Sequence, residues 1–179
     1  MITHMKSFKQ HILEKLKVSV RNTTKHTLFP ETREELDEMI RDEISVKGYI
    51  CSLNHIDVSR ITDMHELFRN FNFNGDISEW DVSSVTDMHE MFAYSKFNRD
   101  ISDWDVSNVT DMNRMFFGSK FNGDISNWKV SDVSNMEMMF AYSKFNGNIS
   151  NWDVSNVSNM GDMFKNSPLQ NNPPKWYKA

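Results

Sequence analysis

The sequence has one cysteine, Cys51, so no intramolecular disulfide can form and a disulfide framework is excluded. No apolar run approaches the ~18 residues that a membrane span needs, and the N-terminus lacks the apolar core of a secretory signal. The expectation is therefore a cytoplasmic or virion-associated chain with no membrane span. Basic residues are the minority, 20 against 25 acidic, and the net charge of -5 argues against nucleic acid as a partner. Catalytic signatures are missing as well: there is no G-x-S-x-G, Walker loop, H-E-x-x-H or C-x-x-C. The chain reads as a non-enzyme, with neither a cofactor nor a metal expected. Leucine is scarce, at 7 residues, while methionine and phenylalanine reach 13 each and tryptophan 5. Leu, Ile, Val and Phe still make up 43 of the 179 residues, enough to bury a core.

The imbalance has a cause in an internal period. Trp80, Trp104, Trp128, Trp152 and Trp176 fall 24 residues apart. The same ruler gives Met64, Met88, Met112, Met136 and Met160, and Phe68, Phe92, Phe116, Phe140 and Phe164. Phe73, Phe97, Phe121 and Phe145 continue into Leu169, and Ile77, Ile101, Ile125 and Ile149 end at Pro173. Five copies span 57–176. One copy cannot bury its own apolar edge, so neighbours must stack, with each column forming an interior ladder and methionine filling the gaps.

Within a copy, I-x-x-W-x-V-x-x-V reads as a short strand with Trp80 and Val82 on one side and Glu79, Asp81 and Ser83 on the other. Met88, Met91 and Phe92 at i, i+3, i+4 read as a short helix, with Thr86 as N-cap and Asp87 in its first turn. Asn74-Gly75, Asn122-Gly123 and Asn146-Gly147 read as return turns tolerant of positive φ, with Arg99 departing from that pattern. The predicted architecture is thus an α/β repeat solenoid of five 24-residue strand-turn-helix units.

The recurring D-V-S-N-V-T-D-M-x-x-M-F and F-N-G-D-I-S-x-W segments resemble the BspA-like leucine-rich repeats, also described as the mycoplasma lipoprotein type, over about residues 32–176. That resemblance implies a right-handed leucine-rich-repeat-like solenoid, and in many members surface exposure and adhesion to host proteins or other cells.

The ends read differently. Residues 30–56 form a cap and truncated repeat: Thr32 and Glu35 fit a capping box, Leu36, Met39, Ile40 and Ile44 make an apolar stripe, and Gly48 can stop the helix. Prolines 173 and 174 block further strand addition, and 177–179 form a tail. Residues 1–29 carry six basic residues against Glu14 alone. Met5, Phe8, Ile12 and Leu16 at helical spacing, with Lys9 and Lys15 alongside, predict a basic amphipathic helix and linker. It could pack on the cap, dock into a partner's groove, or lie on a membrane surface. This opening is similar to short N-terminal segments of proteins from large tailed bacteriophages.

The candidate partner surface is the outward strand face: Glu79, Asp81, Asp103, Asp105, Lys129 and Asp153. Like charges in adjacent copies invite a basic partner or Ca²⁺, although Lys129 supplies its own counter-charge and a solvated polar face is the simpler reading. Ser83, Ser107, Ser131 and Ser155 read as a hydroxyl ladder. Lys96, Lys120 and Lys144, beside Tyr94, Phe117 and Tyr142, read as a solubilising face. His65 and His89 share one column with Glu66 and Glu90 beside them, so stacking could assemble a transition-metal site, but the column continues as Asn113, Glu137 and Gly161 without a third histidine and a solvated helix face is the simpler reading. The function expected is a non-enzymatic protein-binding module; the alternative is a structural or packaged virion component in a larger assembly, docked through its N-terminal helix.

Overall fold

The computed structural model describes residues 26–178, and the N-terminal segment carrying Phe8, Lys9, Ile12, Lys15 and Leu16 lies outside the described residues. Among these, the one α-helix is α1, Arg33–Lys47. Thr32 caps it by accepting from the Glu35 N–H at 3.2 Å, while the Glu35 carboxylate accepts from the Glu31 N–H at 2.8 Å. One of the helix's open amide donors is thus provided for, and the residue ahead of the cap is tied back to the first turn. Gly48, at φ 85, ends the helix and donates to the Ile44 carbonyl. Leu36, Met39, Ile40 and Ile44 are its buried residues and join the single apolar core.

Beyond α1 the chain runs in successive 24-residue units held in parallel register. Asp63 bridges Asp87, Asp87 bridges Asp111, Asp111 bridges Asn135, and Asn135 bridges Asn159. These four bridges lie in the V-T-D-M segment, one residue per unit; two more join Leu28 to Ile56 and Ser52 to Asp76, and none lies at Trp80 or Val82, where the strand was expected. The Ile77–Trp80 segment is instead a turn closed by the Trp80 N–H on the Ile77 carbonyl.

The expected helix in each unit is also replaced. The N–H groups of Met64, Glu66, Phe68 and Asn70 donate to the carbonyls of Asp87, His89, Met91 and Ala93 in the next unit, at 2.8 to 3.0 Å. Left-handed residues interrupt the segment at two positions per unit: Glu66, Glu90, Arg114, Met138 and Asp162 in one column, and Asn70, Tyr94, Gly118, Tyr142 and Asn166 in the other. The residues between them close i→i+3 turns, such as Met91 N–H on Met88 O and Ala93 N–H on Glu90 O. Successive tight turns return to the same side every three or four residues, so they copy the spacing of a helix without forming its ladder. Thr86 is accordingly no N-cap. Its N–H and hydroxyl both bond to the Thr62 carbonyl one unit back, and Thr110, Ser134 and Ser158 repeat this.

The glycines of the return turns serve a different need from the one expected. Gly75, Gly123 and Gly147 do not have positive φ. A Cβ at Gly75 would lie 1.9 Å from the Cys51 carbonyl oxygen, and one at Gly147 2.7 Å from the Phe145 ring. The turn therefore requires close approach rather than a left-handed backbone.

Between these edges lie the ladders. Phe68, Phe92, Phe116 and Phe140 stack with centroids 5.5 to 5.6 Å apart, and Phe164 follows at 6.0 Å. Phe73, Phe97, Phe121 and Phe145 form a second column at 6.3 Å. Each tryptophan indole Nε1–H donates to a carbonyl 27 residues earlier: Trp80 to Leu53, Trp104 to Ile77, Trp128 to Ile101, Trp152 to Ile125 and Trp176 to Ile149. The indole's polar atom is thereby satisfied inside an apolar column. At the far end the 3-10 turn Pro168–Gln170 buries Leu169, and Tyr177 packs edge-on against Phe164.

Candidate functional site

The polar edge of the stack is built from aspartate turns. Asp76, Asp81, Asp100, Asp105, Asp124 and Asp153 each accept, through Oδ1, the N–H of the serine two residues on, at 2.9 to 3.1 Å. Aspartate suits this place because its short carboxylate reaches the i+2 amide and closes the loop. The same contacts set its charge. Ser107 and Ser155, donating to Asp105 and Asp153, hold both carboxyls below the usual 3.8, and Lys129 adds to the effect at Asp105. Ser102 and Ser126 do likewise for Asp100 and Asp124.

Glu79, Asp81, Asp103, Asp105, Lys129 and Asp153 are all exposed. Asp81, Asp105, Lys129 and Asp153 occupy one register position in four successive units, and Glu79 and Asp103 occupy another in two. The serines beside them do not form the expected ladder. The Ser83 hydroxyl donates to its own Asp81 at 2.6 Å, and Ser131 to Asp132 at 3.2 Å. The inter-unit hydroxyl contacts belong instead to the Thr86, Thr110, Ser134 and Ser158 column.

Open cavities border the Asp76, Asp100 and Asp124 turns. One, of about 580 Å³, is lined by Ile50, Asp76, Ser78, Asn98, Arg99 and Asp100. Another, of about 420 Å³, lies over Asn122, Gly123, Asp124 and Asn146. The asparagines form a side-chain ladder here, Asn98, Asn122 and Asn146 each donating a backbone N–H to the amide oxygen of the asparagine one unit back. The recurrence of asparagine at 74, 98, 122 and 146 is the sequence signal for this ladder.

Lys96, Lys120 and Lys144 are exposed, and their backbone N–H groups bond to Phe71, Ser95 and Ser119 in the preceding unit. Near them Tyr94, Phe117 and Tyr142 pack edge-on and tilted, at 5.1 and 5.3 Å, with the Arg114 guanidinium over Phe117. Gly118 makes room for the Tyr94 ring, since a Cβ there would meet it at 2.7 Å.

His65 and His89 lie parallel, with ring centroids 4.9 Å apart and planes within 6°. Each Nδ1 contacts an aspartate of its own unit, Asp63 at 2.7 Å and Asp87 at 2.9 Å. Both rings stand on turns rather than on the helix face expected for them. Among the described residues, no group of three or more His, Cys, Asp and Glu forms a metal cage. No helix among them is long and apolar enough to cross a membrane.

A family described as Mycoplasma protein of unknown function, DUF285, matches the chain over residues 34–142 and again over 94–178. The two matches overlap and together take in every complete repeat. No curated protein and no solved structure matches the chain. The chain belongs to this family of Mycoplasma-type proteins.

Proposed function

We propose that this protein is a non-enzymatic protein-binding module, built as a right-handed leucine-rich-repeat-like solenoid of the BspA-like type, that offers its acidic edge to a basic protein surface. One observation carries the reading: the exposed carboxylates of Asp81, Asp105 and Asp153 recur at one register position, interrupted at Lys129, and each of these aspartates is locked by its own serine. Anchored carboxylates lose little freedom on binding, and their repeat along one edge sets the register of a partner. Phosphate is repelled by such an edge, which supports a protein partner over nucleic acid. The second reading, a virion component docked through its N-terminal segment, is favoured by the concentration of basic residues in 1–29. No enzymatic role is proposed, and the protein is taken to work in the cytoplasm or on a virion.

Co-purification from the native source separates the two. With the edge as binding surface, Asp81→Lys with Asp105→Lys removes the partner, raised salt weakens it, and deletion of residues 1–29 leaves it bound. Loss on that deletion, with retention by the charge-reversed variant, transfers the binding to the N-terminal segment.

A further inference from the structure

We propose that His65 and His89 form a two-imidazole chelate for a divalent transition-metal ion, with Cu²⁺ the strongest binder. Each Nδ1 faces a carboxylate oxygen, at 2.7 Å to Asp63 and 2.9 Å to Asp87. A carboxylate only accepts, so Nδ1 carries the ring proton and the lone pair of each neutral imidazole resides on Nε2. The two rings are parallel and anchored through the same atom, so both Nε2 atoms face the same way about one ring spacing apart. Two acceptor lone pairs side by side repel, and a shared cation relieves that repulsion. An aspartate behind each imidazole is the arrangement that fixes the ring orientation of metal-binding histidines.

Two metal–nitrogen bonds of about 2.1 Å span at most about 4.2 Å. That span holds for collinear bonds and falls to about 3.0 Å for neighbouring positions of a square-planar ion. The parallel rings at 4.9 Å have lone pairs that do not converge as they stand, so sharing one ion requires both rings to swing about their Nδ1–H contacts and bring the Nε2 atoms together. Both side chains are about one-third exposed, at 35% and 32%, which leaves them reachable by solvent and the remaining coordination positions to water. The neighbouring charges are already engaged. Glu90 is held by Arg69 at 2.7 Å and by Arg114 at 3.6 Å, Glu66 by Arg69 at 3.3 Å, and the Arg33 guanidinium donates to the His65 carbonyl. Imidazole donors favour Cu²⁺, Ni²⁺ and Zn²⁺, and affinity peaks at Cu²⁺ in that series.

The test adds Cu²⁺ alone, near neutral pH, to the full chain carrying His4→Gln and His11→Gln, which removes the N-terminal histidines as competitors. Calorimetry is expected to give one bound ion, and electron paramagnetic resonance two coupled imidazole nitrogens. His65→Gln or His89→Gln should weaken binding at least tenfold and leave one nitrogen. Asp87→Asn should weaken it about 10- to 100-fold with both nitrogens kept, whereas His26→Gln should change nothing. Affinity unchanged by both His65→Gln and His89→Gln would overturn the proposal. So would a parent spectrum with fewer than two imidazole nitrogens, a reading that needs no substitution at the site and is independent of how the variants fold.

Discussion

Trp128→Ala removes an indole from the middle of the ladder, and its cost can be worked from the surroundings. Trp128 is 4% exposed, packs against Phe116 at 6.3 Å and donates to the Ile101 carbonyl at 3.1 Å. Emptying such a site costs about 3–5 kcal/mol. Trp128→Phe keeps most of the ring and costs about 2.6 kcal/mol, from about 1 for the hydrogen bond and about 0.8 for each of two missing methylene-sized groups. The hydrogen-bond share stays small because Ile101 O keeps a second donor, the Trp104 N–H. Trp104→Ala is expected to match Trp128→Ala, since its burial and partner carbonyl are equivalent. Trp176 is only partly buried and closes the last unit, so Trp176→Ala should cost less than half as much. Urea unfolding followed by far-UV circular dichroism measures all four. Equal losses at Trp176 and Trp128, or a loss below about 1 kcal/mol at Trp128, would refute the ladder.

Backbone geometry yields further expectations. Gly118→Ala is placed at φ 62 with its Cβ 2.7 Å from the Tyr94 ring, and should lower the unfolding free energy by about 1–2 kcal/mol or more; adding Tyr94→Ala should recover the steric part. Gly75→Ala meets the Cys51 carbonyl at 1.9 Å, whereas Gly147→Ala meets only a ring edge, so the first should lower the melting temperature more. Met138→Asn puts a residue suited to positive φ at φ 53 and should stabilise by a few tenths to about 1 kcal/mol in urea titration. The serine-bound aspartates have folded pKa values below 3.8, so their contribution is present above that value and is lost as pH falls through it toward the folded values. Acid titration by circular dichroism should therefore show stability falling below about pH 4, and Asp105→Asn should flatten that fall.

What could be read in the chain depended on which force set each position. Burial produced the 24-residue columns directly, because apolar side chains that must stand over one another recur at one spacing, as Trp80 through Trp176 do. The α1 stripe at Leu36, Met39, Ile40 and Ile44 was equally open, with Thr32 and Glu35 marking its start. The backbone path inside a unit was not. Met88, Met91 and Phe92 have helical spacing, yet left-handed Glu90 and Tyr94 divide the segment into turns whose N–H groups bond to the next unit. Local spacing reports which side is buried but not whether the carbonyl partner is four residues back or in the neighbouring unit. The acidic positions Asp81, Asp105 and Asp153 were visible as a period, whereas their serine locks emerge only once the turns are folded. The shared column of His65 and His89 was visible as well, whereas their Nδ1 contacts to Asp63 and Asp87 emerge only from the folded turns.

The acidic edge exists as a surface only if equivalent positions of successive units stand one above another. Dipolar electron resonance between spin labels on cysteines tests this, in a Cys51→Ser chain carrying Asp81→Cys with Asp105→Cys, Asp81→Cys with Lys129→Cys, or Asp81→Cys with Asp153→Cys. The stack predicts label separations that lengthen by equal steps of about 5 Å per unit. Separations that fail to grow from the first pair to the third would contradict it.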